Sequence, residues 1–311
     1  MHRIGFVVSP GFQVMSFAAM SAFEFANLSV DAPLYDVRML SQTGGQVPTS
    51  MGMLLDTAPL DYTPYDTVIF GGGVDGAEAT DEVVSFVHRS VATARRVASI
   101  CTGAFVLAQA GVLDGRRATT HWSGARQLQA RHPKVKVELD RIFIVDGPIW
   151  TSAGASAGID LALGMIENDL GAEVARLVAK KLVVYHRRAG GQSQHSVLLE
   201  MDAKSDRIQS ALDYAKRNLK SPLNVADLAE AAHLSPRQFS RAFRAETGQS
   251  PAKAVENLRV EAARIMIEQS SHPIEVIAAQ TGFADRERMR QAFLRAFGQP
   301  PQAIRRTAHV A

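Results

Sequence analysis

Cysteine is almost missing from this chain: Cys101 is the single one in 311 residues. One cysteine excludes an intrachain disulfide and suits a reducing compartment. Long apolar runs are missing as well. The opening MHRIGFVVSPGF is too short an apolar stretch for a signal peptide, and no segment is long enough to span a bilayer. These absences predict a cytoplasmic protein with no membrane partner. No charge sign dominates either, since the net charge is only +3. What is present is core-forming material: 46% hydrophobic against 21% charged residues, in a chain long enough for two domains. The charge is unevenly placed. From Ser205 onward 16 Lys and Arg face 11 Asp and Glu, whereas the residues before it carry 18 against 20. The basic excess therefore lies in one segment, as attraction to a polyanion requires.

That segment holds one pattern written twice. LNVADLAEAAHLSPRQFSRAFRAETGQSP is answered by HPIEVIAAQTGFADRERMRQAFLRAFGQPP. Val225, Leu228, Ala229 and Ala232 correspond to Ile274, Ile277, Ala278 and Thr281. Past a turn, Phe239, Ala242, Phe243, Gly248 and Pro251 correspond to Met289, Ala292, Phe293, Gly298 and Pro301. The second copy has one extra turn residue. Two copies are too few for a stacked solenoid, so the pattern reads as two helix-turn-helix units. Ser235, Pro236 and Gln238 supply an N-cap, a first-turn proline and a capping-box partner, and Asn224 with Asp227 caps the preceding helix. Phe239, Ala242 and Phe243 recur at helical spacing as a buried face. Arg237, Gln238, Ser240, Arg241 and Arg244 fall on the opposite face. In the second copy Arg286, Glu287, Arg288, Arg290 and Gln291 do the same. A basic helix face alone is ordinary solvated surface. Two such faces at one spacing, each behind a short helix and turn, are the side chains that meet base edges and phosphates in the major groove. Between them, residues 252–269 form a connecting helix whose stripe is Val255, Leu258, Ala262, Ile265 and Met266.

The first part alternates buried strands with helices. Strands are expected over 3–9, 35–41, 67–70 and 97–100, and helices over 14–28, 81–94, 103–110, 123–130, 157–169 and 173–184. Such alternation predicts a parallel α/β sheet covered on both faces. An antiparallel element is expected from 135–138, 142–145 and 149–152, with Asp146-Gly147-Pro148 as a turn. Three stretches can carry chemistry. Gly71-Gly72-Gly73 ends a strand, either to turn tightly or to aim amides at a bound group. Ser99-Ile100-Cys101-Thr102-Gly103 runs a strand straight into a helix with the thiol at the corner. The helix start favours a thiolate there, although a lone cysteine is usually a small buried hydrophobe. The third, Thr119-Thr120-His121-Trp122, offers an imidazole that either sits beside Cys101 or is structural; spacing does not decide.

The duplicated segment, from about Ser205 to Arg306, resembles the AraC/XylS family DNA-binding domain. Its most specific part is Ile277-Ala278, Gly282-Phe283, Ala292-Phe293, Gly298 and Pro301. The resemblance implies two recognition helices entering successive major grooves, held apart by a linker helix. Residues 3–185 resemble the PfpI-protease-like superfamily, related to class I glutamine amidotransferases. That implies a flavodoxin-like parallel sheet, Cys101 on the elbow, His121 near its sulfur, and the amides of Gly72 and Thr102 around an oxyanion or carboxylate. CTGAFVLAQAGVLDGRRATTHW, TSAGASAGIDLALGMIE and RRAGGQSQ together resemble the GlxA family of transcriptional regulators, which join two such domains.

The expected organisation is a ligand-sensing domain over 1–186, a linker over 187–204 and a DNA-binding domain over 205–311. Arg187 and Arg188 of the linker read as solvated surface, with contact to phosphate as the other reading. One departure bears on function: enzymes of the superfamily carry an acid on the first helix, and here Ser16 stands in its place. Without that proton carrier the site reads as a sensor and not an enzyme. Its ligand-binding set is Ser16, Gly72, Gly73, Cys101, Thr102 and His121, with no metal and no cofactor. The expected partners are duplex DNA, a small effector of the amino acid, betaine or amine class, a second copy of the chain meeting through the α/β domain, and RNA polymerase. Two other readings stay open. One is a cysteine-dependent hydrolase, amidase or hydratase built on Cys101, and the other a non-specific architectural DNA binder.

Overall fold

The structure is a computed structural model. It describes every residue except 31, 74–77, 185–186, 189, 191–193, 195–204, 298 and 311. The described residues divide into two units, Met1–Gln194 and His195–Ala311.

The first unit is a sheet of eight strands between two helical layers. The strands are β1 (His2–Val7), β2 (Tyr35–Ser41), β3 (Thr43–Pro48), β4 (Leu54–Pro59), β5 (Thr67–Phe70), β6 (Arg96–Ile100), β9 (Phe143–Asp146) and β10 (Ile149–Ser152). They lie in the order β3-β4-β2-β1-β5-β6-β10-β9, with β7 (Arg117–Ala118) and β8 (Lys136–Val137) forming a separate parallel pair. The central strands pair in parallel. β3 and β9 close the two edges in antiparallel fashion. The period-two alternation of β-strands sorts the core. Ile4, Phe6, Ile69, Ala98 and Ile100 pack under α1 (Ala18–Asn27), α5 (Ser156–Leu170) and α6 (Ala172–Lys181). Val7, Val68, Phe70 and Val97 pack on the other side under α2 (Asp81–Thr93), α3 (Gly103–Gln109) and α4 (Trp122–Arg131). Each such Val, Ile or Phe side chain, fully buried, stabilises by about 1.5–3 kcal/mol.

One expectation over this unit needs correction, and one element carries no mark in the sequence. Residues 135–138 do not join the antiparallel element, because β8 pairs in parallel with β7. The unmarked element is the β3–β4 hairpin. Its side chains are mostly exposed at a sheet edge, so no apolar alternation marks it.

The second unit has seven helices among its described residues: α7 (Asp206–Arg217), α8 (Val225–Ala231), α9 (Pro236–Thr247), α10 (Pro251–Gln269), α11 (Ile274–Gln280), α12 (Arg286–Phe297) and α13 (Pro301–Val310). They form two separate cores. One joins Leu212, Leu228, Phe239 and Phe243 to Ala254, Val255 and Leu258 of α10. The other joins Ile277, Met289, Phe293 and Ile304 to Val260, Ala263 and Ile267 of the same helix. At about 100° per residue, those two sets lie on roughly opposite faces of α10. The expected single stripe through Ala262, Ile265 and Met266 is therefore wrong in its second half; these three are only partly buried. The helix serves one module with each face.

Candidate functional site

The elbow is built by close backbone approach. Strand β6 delivers Cys101 in a left-handed conformation, φ 56°, before Thr102 opens α3. Such a φ is strained for a non-glycine residue, and the neighbours leave little room for it to relax. A Cβ on Gly154 would lie 2.2 Å from the Cys101 Cβ, and one on Gly72 would lie 2.7 Å from the Thr102 nitrogen. The Thr102 hydroxyl donates to the Gly73 carbonyl at 2.7 Å. Ser16, buried on a short 3-10 turn, is tied to the same place, since its amide donates to the Gln13 carbonyl and Gln13 donates to the Gly72 carbonyl at 3.1 Å. On the far side the buried Thr120 hydroxyl donates to the Cys101 carbonyl at 2.7 Å. The next residue, His121, caps α4, its Nδ1 accepting from the Ser123 amide and lying 2.8 Å from the Ser123 hydroxyl. Gly72, Gly73, Cys101 and Thr102 thus meet at one corner, Ser16 is joined to it through the backbone of Gln13, and His121 follows the Thr120 that holds the Cys101 carbonyl, with its imidazole on Ser123.

The electrostatics correct one expectation. Burial pushes the Cys101 thiol above its ordinary pKa, outweighing the Thr102 hydrogen bonds that favour the anion. Burial of a residue only 7% exposed therefore opposes a thiolate at this helix start.

The segment after α6 is also unlike its expectation. Arg187 pairs with Glu167, and Arg188 pairs with Asp160 at 2.7 Å while donating to the Ser156 hydroxyl at 2.8 Å. Gly190 lies against Phe143, where a Cβ would come within 2.7 Å of its carbonyl oxygen. Gln194 donates to the Thr120 carbonyl at 2.8 Å and accepts from the Trp122 amide at 2.8 Å, while its own amide reaches Asp140 at 2.6 Å. These residues belong to the first unit and are neither linker nor free surface. Residues 189, 191–193 and 195–204 of the expected linker lie outside the described residues, as does Gly298.

In the second unit, Phe239 and Met289 are fully buried. Arg237, Gln238, Arg241 and Arg244 on α9, and Arg286, Arg288 and Gln291 on α12, are exposed; Ser240 and Arg290 are half-buried. Both expected capping boxes, Asn224 with Asp227 and Ser235 with Gln238, are present. The second occupies the Gln238 side-chain oxygen, and the Ser240 hydroxyl donates to the Pro236 carbonyl at 2.8 Å.

Residues 3–168 match the model of the DJ-1/PfpI family, and residues 228–307 match that of a helix-turn-helix domain. The chain is 31% identical to the HTH-type transcriptional regulator GlxA of Rhizobium meliloti, over 98% of this chain and 95% of that protein. The chain belongs to the GlxA family of HTH-type transcriptional regulators. It is also 32% identical to an isonitrile hydratase of Pseudomonas putida, over 58% of this chain and 77% of that enzyme. The crystal structure of an AraC family transcriptional regulator from Pseudomonas putida superposes with a TM-score of 0.55 at 24% identity, covering 58% of this chain and all of the other; it shows the fold alone.

This GlxA-family regulator therefore joins a DJ-1/PfpI unit to an AraC-type DNA-binding unit. Two residues of the elbow escaped sequence reasoning. Gly154 sits inside the motif TSAGASAG, whose small residues leave room for Cys101. Gln194 ends RRAGGQSQ, where glycine, serine and glutamine read as connector composition.

Proposed function

We propose that this DNA-binding transcription regulator is sequence-specific, and that its α/β unit senses a small metabolite of the amino acid, betaine or amine class. The observation that carries the sensing role is the glycine-walled corner around Cys101, where Ser16 stands in place of an acid and burial favours the neutral thiol. A nucleophile needs the thiolate and a proton carrier; this corner favours neither, which supports recognition over turnover. The backbone amides of Gly72 and Thr102 suit the carboxylate of an amino acid or a betaine. Gln194 supports a route outward. It bonds to the Thr120–Trp122 loop that holds the Cys101 carbonyl, and the chain continues from it through 195–204 toward the DNA-binding unit. A ligand shifts that unit only through unequal affinity for two arrangements. We further propose that the regulator acts as a homodimer on duplex DNA, since two bound copies multiply affinity.

The test is a thermal-shift screen of the full chain against amino acids, betaines and amines, because a ligand of the native state raises the melting temperature. The reading expects a stabilising compound that also changes operator affinity, and no turnover of amides, nitriles or isonitriles. Turnover that disappears in Cys101→Ala would instead establish the cysteine-enzyme reading, to which the isonitrile hydratase relative gives its weight.

A further inference from the structure

The two reading helices look alike in sequence pattern, but their charges are arranged differently. On α9, Arg237, Arg241 and Arg244 are exposed and engage no carboxylate among the described residues. On α12 each arginine of the face has an acid beside it. Arg286 Nη1 lies 2.9 Å from Glu275, and Arg288 Nε lies 3.8 Å from Asp285. Arg290 donates to both oxygens of Glu287, at 2.8 and 2.7 Å, and Gln291 donates to the same carboxylate at 2.9 Å. Three arginines meet three carboxylates, so the α12 face is close to neutral where the α9 face is strongly positive. The sharpest difference falls at one aligned position: Glu287 stands where the first copy has Arg237. A carboxylate there is repelled by phosphates, yet it can accept from the amino group of cytosine in the major groove.

We propose that Glu287 is a specificity-determining residue of the second helix-turn-helix unit. It restrains Arg290 and Gln291 from binding backbone phosphate indiscriminately and admits α12 only where a base-edge donor replaces their hydrogen bonds. Exposed ion pairs are weak and exchange readily in water, so the arrangement opens on the right sequence without a large penalty. Elsewhere the uncompensated carboxylate faces phosphate and opposes binding. The α9 face then supplies most of the sequence-independent attraction, and α12 supplies discrimination. This rests on the reading of α9 and α12 as the DNA-contacting helices.

The experiment uses the full chain, wild type and Glu287→Gln, with Arg241→Ala as a separate control. Fluorescence anisotropy is measured on a duplex selected in vitro by the wild type and on a scrambled duplex of equal length, across a salt series. Glutamine preserves size and helix propensity, and an unchanged melting temperature shows that the fold is intact. The expected result is about tenfold tighter binding to the scrambled duplex, a steeper salt dependence equivalent to roughly one more phosphate contact, and a matching loss of discrimination. Unchanged affinity for the scrambled duplex together with unchanged discrimination overturns the role of Glu287. If Arg241→Ala still weakens binding in that case, the DNA-reading faces stand and only the Glu287 proposal falls. If neither variant changes binding, the underlying reading fails.

Discussion

Cys101 is the residue at which chemistry and packing pull in opposite directions. Its corner position was legible in the sequence, since an apolar strand running directly into a helix with a small polar residue at the joint has few other solutions. Its protonation was not legible, because that depends on burial supplied by Gly154 and Gly72 from distant parts of the chain. Burial raises the folded pKa, so the thiol ionises only above the range of a free cysteine. Alkylation of native protein by iodoacetamide is therefore expected to accelerate with a midpoint above that of free cysteine; a midpoint below pH 7 would mark an activated nucleophile and contradict the sensor reading. The reading arginines were likewise legible as a face, but their partners were not. Arg241, exposed on α9, is expected to lose about 1–3 kcal/mol of operator affinity on replacement by alanine if it meets a base. Equal losses on random DNA would mark a phosphate contact instead.

Among the elements, the two helix-turn-helix turns show what periodicity reveals and what it hides. The repeat gives both turns, both buried faces and the extra turn residue. It does not explain why one turn holds His233 and the other Gly282, each at positive φ, 53° and 80°. His233 shows that a side chain tolerates this conformation. Gly282 is needed for space: a Cβ there would lie 1.8 Å from the Leu219 carbonyl oxygen, beside the Arg259 guanidinium that donates to the Leu219 and Ser221 carbonyls at 3.1 and 2.8 Å. Gly282→Ala is expected to destabilise the second unit by more than about 2 kcal/mol, because backbone must move as well as strain. Gly248→Ala, at φ 72° with open space around it, should cost only about 1 kcal/mol of conformational strain. Urea unfolding of the two variants checks the difference; equal losses would mean that the contact at Leu219 carries no weight. The linker helix teaches the same lesson, since a stripe read from spacing assumes one partner and α10 has two.

For the molecule as a whole, the division into two units was legible from composition, but its position was not. The chain from Arg187 to Gln194 has connector composition, yet its described residues are fastened to the α/β unit by ion pairs and hydrogen bonds that spacing cannot foretell. Stability of that unit also rests on a buried group that composition does not single out. The Asp169 side chain is buried and receives Arg96, Arg95 at 2.9 Å and the Tyr35 hydroxyl at 3.1 Å. Asp169→Ala strands the buried Arg96 charge and is expected to cost about 3–5 kcal/mol, visible as a lower melting temperature of the first unit; a loss under about 1 kcal/mol would show that water reaches the site. The account as a whole depends on DNA being read by sequence. Its most direct test is in vitro selection of duplexes by the full chain, followed by affinity measurement at physiological salt. The account predicts an enriched motif bound about a thousandfold tighter than scrambled DNA, and it is contradicted if no motif emerges and all duplexes bind alike with only a steep salt dependence.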